Sequence, residues 1–198
     1  MTMTGLAGKV AALRTELARR DTAVLAQTCG ARLTNGRLQL NVWQTAVTID
    51  PADFVARNAE TGAALDLLTQ ALLAYYLHGS DGTAQANRWI AFTELPDGRF
   101  YTQAFQGYTG QELARHFGDE VARFRETAVR LGGQAVPFGD AAFCFQALPH
   151  VPVLAVCWLG DDDFPASYKL LFDAHTFHHL PTDACAILGS MLTRRLLG

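Results

Sequence analysis

Three of the six histidines of this 198-residue chain lie within five positions, in the stretch FDAHTFHHLPTD (residues 172–183). Imidazole nitrogens and carboxylates bind Zn²⁺, Fe²⁺ or Ni²⁺, and spacings of three and four residues place side chains on one helical face. The stretch therefore predicts a metal site made of His175, His178, His179 and Asp173. The alternative is a loop between a strand and a helix, as Pro181 suggests, in which the imidazoles only contact or cap neighbouring groups.

Aromatic residues are frequent between positions 89 and 108, where they could line an apolar pocket. We predict that Trp89, Tyr101 and Phe105 contact a small ligand, with His78 facing the same cavity. The alternative interpretation is that the aromatic side chains form the core of a sheet and that His78 stabilises the carboxyl end of a helix.

Other motifs indicate no particular reaction. The acidic stretch GDDDFP (residues 160–165) lacks the spacing of a calcium-binding loop and predicts a solvated turn. The chain has no G-x-S-x-G elbow and no Walker or dinucleotide glycine pattern. Whether the protein is an enzyme is therefore left open.

Composition excludes several classes of protein. Hydrophobic residues make up 49% of the chain and charged residues 18%, which predicts a packed core instead of a disordered chain. The net charge is −3 and no basic stripe is present, so no nucleic-acid partner is expected. Apolar runs are too short or too often interrupted by charge for a signal peptide or a membrane span, which predicts a cytoplasmic protein.

Several segments of the first half show the pattern of regular elements. Apolar spacing predicts an amphipathic helix over residues 6–20, and the dipeptide Asn35-Gly36 predicts a type I′ turn between two strands. Thr61 predicts the start of an apolar helix that would cross the middle of the core. The stretch WIAFTELPDGRFYTQAF (residues 89–105) predicts a hairpin in which two aromatic-rich strands flank Pro96-Asp97-Gly98.

The second half predicts helices followed by a meander. Thr109 and Glu112 predict a capping box for a short helix that ends at Gly118, and Asp119 predicts the cap of the next helix. Three strands and a final helix are expected at residues 142–148, 153–159, 168–174 and 183–197. Together the elements predict an α+β fold, with a mainly antiparallel sheet built from hairpins and a meander and covered by helices. We expect one domain over residues 1–198, with residues 1–22 as a helical extension.

The four cysteines form no C-x-x-C pair, which argues against a zinc ribbon or an iron–sulfur cluster bound by this chain alone. If the first two strands of the meander pair around His150, Cys144 lies nearly opposite Cys157. Two reduced thiols would then be neighbours in the sheet.

Six stretches between residues 72 and 198 carry a resemblance to a known family. They are LLAYYLHGSDG, WIAFTELPDGRFYTQAF, LARHFGD, LGG, FGDAAFCFQALPHVPVLAVCWLGDDDFP and LFDAHTFHHLPTDACAILGSMLTRRL. In these stretches the chain resembles the bacterial and archaeal domain-of-unknown-function family numbered 3786. The resemblance implies a supporting role in cofactor or one-carbon metabolism, beside a separate iron–sulfur or corrinoid protein, and supplies no catalytic residues.

Three hypotheses follow for the function. The first is a cytoplasmic domain that binds a small ligand or cofactor, such as a tetrapyrrole or corrinoid, in a pocket between the sheet and its helices, with the clustered histidines at its mouth. The second is a metal-dependent enzyme in which His175, His178, His179 and Asp173 hold a metal that acidifies bound water. The third is a protein-interaction module that docks through an apolar face. The sequence does not indicate an oligomeric state.

Overall fold

Two antiparallel sheets and seven α-helices make up the computed structural model, which describes residues 3–198. The helices are α1 (Met3–Leu17), α2 (Thr22–Thr28), α3 (Leu67–Gly79), α4 (Gly98–Tyr108), α5 (Gly110–Phe117), α6 (Val121–Arg130) and α7 (Thr182–Leu197). The strands are β1 (Arg32–Thr34), β2 (Arg37–Val42), β3 (Thr45–Ile49), β4 (Ala56–Asn58), β5 (Trp89–Ala91), β6 (Gln134–Ala135), β7 (Ala141–Leu148), β8 (Val151–Trp158) and β9 (Ser167–Asp173). The predicted α+β fold with antiparallel sheets is confirmed.

The first sheet has the strand order β1-β2-β3-β4. Asn35 and Gly36 both have positive φ angles, of 50° and 75°, and form the predicted turn between β1 and β2. The next turn places Trp43 in the left-handed region as well, at a φ of 55°. Its backbone N–H donates to the carbonyl oxygen of Ala147 in β7 at 2.8 Å, and this bond joins the first sheet to the second.

The second sheet has the order β5-β9-β8-β7-β6, and its three long strands lie close to the predicted positions. The predicted neighbourhood of the two sheet cysteines is wrong. Cys144 pairs with Leu154 and Cys157 with Ala141. Pro149 and His150 alone form the turn, and a register shift follows Gln146. Because of this, the partner of Cys144 lies three positions before Cys157, and the two thiols are separated.

Helix α3 crosses the centre of the core, as its apolar composition predicts. All nine residues from Thr69 to Leu77 are buried, and the helix packs against α1 and α7. It begins at Leu67, later than expected, because the Asp66 carboxylate accepts the N–H groups of Leu68 and Thr69. The predicted cap at Thr61 is wrong, because Thr61 lies in the turn that follows β4, six residues before the helix begins.

The predicted hairpin over residues 89–105 is wrong. Only Trp89–Ala91 is a strand, and α4 begins at Gly98. The spacing of Tyr101, Phe105 and Tyr108 is that of one helical face, which explains the outcome.

The capping predictions that follow α4 also need correction. The Thr109 hydroxyl donates to the carbonyl oxygen of Phe105 and makes no capping bond for α5. Asp119 accepts the N–H of Gly160 at 2.8 Å instead of capping α6. Gly118 ends α5 as predicted, with a φ of 49°.

One continuous buried cluster extends from Leu6 in α1 to Leu196 in α7 and includes residues of both sheets. Helix α1 contributes four buried residues to it, so it belongs to the core of the described chain. Within residues 3–198 no helix is long and apolar enough to cross a membrane.

Candidate functional site

The clustered histidines lie between β9 and α7 and face residues 80–87, the segment that joins α3 to β5. His175 Nδ1 donates to the carbonyl oxygen of Ala84 at 2.8 Å. His178 Nδ1 lies 2.7 Å from the Asp81 carboxylate. Bonds to Thr83 and His178 hold the pKa of that carboxyl well below its usual range. These two imidazoles therefore bond the segment between β9 and α7 to residues 80–87.

His179 is the buried member of the cluster, with 1% of its surface exposed. Its Nε2 lies 2.9 Å from the carbonyl oxygen of Thr83 and its Nδ1 3.2 Å from the Ser80 hydroxyl. A carbonyl only accepts, so Nε2 carries the proton and Nδ1 accepts the bond from Ser80. Burial lowers the pKa of His179, which favours this neutral ring. His150 stacks on it, with ring centroids 5.0 Å apart.

Asp173 is 2% exposed, and its carboxylate accepts three backbone N–H groups. The donors are Ala86 at 2.9 Å, Asn87 at 2.8 Å and His175 at 2.9 Å. Most of the acceptor capacity of the carboxylate is used in this way. Asp173 thus holds the same segment of residues 80–87 as the histidines.

The four predicted metal ligands are brought together, but most of their nitrogen and oxygen atoms are hydrogen-bonded within the protein. No three His, Cys, Asp or Glu side chains of the described chain, residues 3–198, form a group that could hold a metal ion. The Nε2 atoms of His175 and His178 have no partner there, but two imidazoles fall short of the three or four protein ligands of zinc sites. The arrangement favours a structural role for the cluster.

The predicted ligand-binding residues lie in different places. Phe105 is fully buried and stacks on Phe92 at 4.0 Å, whereas Trp89 packs against a smaller cluster on the other face of the second sheet. At the surface, His78 Nε2 lies 2.7 Å from the carboxylate of Glu16. Tyr101 is exposed on α4 and lines an open cavity.

That cavity is a groove of about 710 Å³ along α7. One face of α7 forms its floor, α4 and α1 form its walls, and single residues of α3 and the turn after β5 complete it. The lining residues are Met3, Leu6, Leu68, Phe92, Tyr101, Ala104, Tyr108, Thr182, Asp183, Ala186, Ile187, Ser190 and Arg194.

Two charged side chains lie in the groove, near its two ends. Asp183 is in the first turn of α7 and Arg194 in its last, about 16 Å further along the axis at 1.5 Å per residue. Neither side chain has an ion pair or hydrogen bond within residues 3–198. Burial raises the pKa of Tyr108, so this phenol is neutral at ordinary pH. The groove is therefore apolar between one free carboxylate and one free guanidinium.

Close contact between two helices shapes the groove. A Cβ atom at Gly189 of α7 would lie 2.5 Å from a ring carbon of Phe105 in α4, so only glycine allows this approach. Sequence reasoning missed the groove because it treated α4 as a strand. Two signals could have revealed it: the helical spacing of the α4 aromatics and the apolar residues Ala186 and Ile187 on the outer face of α7.

Comparison with known proteins gives one result. Residues 21–195 match the family model described as Domain of unknown function (DUF3786). The chain belongs to this family. The match confirms the resemblance seen from residue 72 onward and extends it to α2 and the first sheet. No curated protein and no solved structure matches the chain.

Proposed function

We propose that the protein binds a small amphipathic anion, such as a medium-chain carboxylate, in the groove along α7. The volume of about 710 Å³ lies within the range of small-molecule sites, and the lining combines apolar and aromatic walls with few polar groups. The observation that carries the proposal is the unpaired guanidinium of Arg194 at one end of these apolar walls.

The two charges set the orientation of the ligand. Arginine matches the planar fork of a carboxylate and can donate two parallel hydrogen bonds to it. Asp183 repels a carboxylate at the opposite end. The head group therefore lies at Arg194, and the tail extends toward Tyr101 and Thr182.

Burial of the tail supplies most of the affinity. Each methylene removed from water contributes about 0.8 kcal/mol, or roughly a fourfold gain in affinity. Affinity should rise with chain length until the tail reaches the end of the groove at Asp183.

The lining residues of the groove support ligand binding more than catalysis. The groove residues that the structure describes include no histidine and no cysteine. They thus offer no axial imidazole for a tetrapyrrole or corrinoid, and no histidine that could act as a general base. We propose a binding or carrier role, in the cytoplasm, where the four unbonded cysteines would stay reduced.

Calorimetric titration with decanoate and its neutral analogue decanol tests the proposal. The wild-type protein should bind decanoate more tightly. Arg194→Ala should lower decanoate affinity about fivefold or more, as for the loss of a partly exposed ion pair, and leave decanol unchanged. Arg130→Ala, at the exposed end of α6, is the matched control and should bind both ligands as the wild type does.

A second variant tests the location. Ala104 is exposed on α4 and lines the groove, so Ala104→Trp fills the groove without disturbing the core. It should abolish binding of both ligands. Unchanged decanoate binding by Arg194→Ala or by Ala104→Trp would overturn the proposal, and so would the absence of binding to the wild type at millimolar concentration.

A further inference from the structure

A second concavity, of about 840 Å³, lies where the outer face of the first sheet meets the β7–β8 turn. We call it the sheet cleft. It is lined by Gly30, Ala31, Arg32, Gln39, Leu40, Asn41, Trp43, Ala46, Val47, Ala59, Gln146, Leu148 and Pro149. It shares no lining residue with the groove along α7.

Small residues create the sheet cleft. Ala46 lies opposite Asn41 in the β2–β3 pair, and the N–H of Ala59 donates to the carbonyl oxygen of Ala46 at 2.9 Å. Their methyl groups leave space on the outer face of the sheet. Gly30 and Pro149 form the opposite wall.

Three polar side chains on that face have no partner among the residues that the structure describes. Arg32 and Gln39 lie directly opposite one another in β1 and β2 and so share a face, and Asn41 follows two residues later on the same side. Within residues 3–198 none of these three side chains makes a hydrogen bond or an ion pair. One guanidinium and two amides therefore present free donors to the same space.

Trp43 gives independent support for a ligand. It is 8% exposed, yet its indole N–H has no acceptor among the described residues. A buried donor without a partner destabilises the folded protein, and so does a tryptophan in the left-handed region. The Arg195 guanidinium lies 5.4 Å from the ring centroid, and the backbone bond to Ala147 fixes the turn. An oxygen acceptor bound in the sheet cleft would satisfy the indole N–H.

The histidine cluster supports one wall of the sheet cleft. The position that a Cβ atom would take at Gly30 lies 3.0 Å from His150 Nε2, so a larger side chain here would press on His150. His150 stacks in turn on His179, which residues 80–87 hold in place. Contacts from the histidine cluster therefore reach this wall of the sheet cleft.

We propose that the sheet cleft binds a small polar molecule that carries an oxyanion group. Arg32 binds the anion, and Gln39, Asn41 and Trp43 donate hydrogen bonds to its oxygens. Inorganic phosphate and glycerol 3-phosphate represent this chemistry, and glycerol is the neutral control.

Indole N–H signals in a ¹⁵N–¹H correlation spectrum test the proposal. The chain has three tryptophans, and Trp43→Phe identifies the Trp43 signal. Glycerol 3-phosphate should shift that signal saturably at roughly 1–10 mM and leave the signals of Trp89 and Trp158 in place. Glycerol and an equal ionic strength of sodium chloride should have no effect.

Variants separate the two concavities. Arg32→Ala should abolish the shift, whereas Arg99→Ala, an exposed arginine of α4, should retain it. Arg194→Ala should retain it too, because the groove along α7 is a different site. The proposal is overturned if the Trp43 signal does not move, if all three indole signals move alike, or if Arg32→Ala responds as the wild type does.

Discussion

His179 uses both ring nitrogens inside the protein, and this distinguishes it from its two neighbours in the cluster. Its bond to Ser80 is buried and its bond to Thr83 is partly buried, whereas the contact of His178 with Asp81 is exposed. Buried polar groups that lose a partner cost far more than surface ion pairs. The three histidines should therefore contribute unequally to stability.

Alanine substitution measures this difference. His179→Ala should lower the free energy of unfolding by about 2–4 kcal/mol, because it leaves a cavity and two unpaired polar groups. His178→Ala should lower it by about 1 kcal/mol at most. Urea denaturation gives both values. Equal losses that disappear in the presence of a chelator would indicate a shared metal instead.

The pH dependence of stability has a definite sign at His179. Burial, the largest cause, lowers the pKa of its imidazole below 6.5, and the nearby His150 and His178 act in the same direction against Thr83 and Asp81. The unfolded chain then binds a proton that the folded protein does not. This contribution to stability is complete above the unfolded pKa and is lost as the pH falls below about 6.5.

A glutamine variant isolates the effect of His179. Glutamine can accept a bond from Ser80 and donate one to Thr83 without titrating. Between about pH 7 and pH 5, His179→Gln should lose less stability than the wild type. A wild-type slope in His179→Gln would show that another group is responsible. His150 keeps its own contribution to the pH dependence of stability, because burial lowers its pKa too.

Sequence spacing could locate the histidine cluster but not its partners. The bonded groups at Ser80, Asp81 and Thr83 precede the histidines by 95 to 99 positions. A metal site and a structural contact give the same local pattern of imidazoles. Only the fold decides between them.

Helix α4 shows how one turn signal can mislead. Pro96-Asp97-Gly98 is a turn, but Asp97 is the residue in the left-handed region, with a φ of 59°. Gly98 is required for another reason, since a Cβ atom there would lie 1.9 Å from the carbonyl oxygen of Phe92. The meander of β7, β8 and β9 was predictable because long apolar runs between turn residues have few alternatives.

Two glycines of α4 form a matched pair of tests. Gly98→Ala should destabilise the protein by about 1–3 kcal/mol and weaken decanoate binding, because α4 must shift away from Phe92. A Cβ atom at Gly107 would have no neighbour within 4 Å. Gly107→Ala should therefore stabilise the protein by about 0.5–1 kcal/mol and leave decanoate binding intact. Denaturation and calorimetry report both effects. A tolerated Gly98→Ala would contradict the close packing of α4.

The groove along α7 and the sheet cleft differ in their chemistry. The groove along α7 is apolar between single charges, whereas the sheet cleft presents free amides and a guanidinium. The family match over residues 21–195 includes most of the lining of both. Sequence patterns predicted the α+β fold, but the concavities arise from contacts between distant elements, such as Phe105 against Gly189, that no local pattern encodes.

Ligand orientation in the groove tests the proposed function most directly. Intermolecular nuclear Overhauser effects between decanoate and isotope-labelled protein report it. The terminal methyl group should contact the ring of Tyr101, and the methylene next to the carboxylate should contact Ser190, one turn before Arg194. The reverse pattern, or contacts only outside the groove, would contradict the proposal that Arg194 binds the head group.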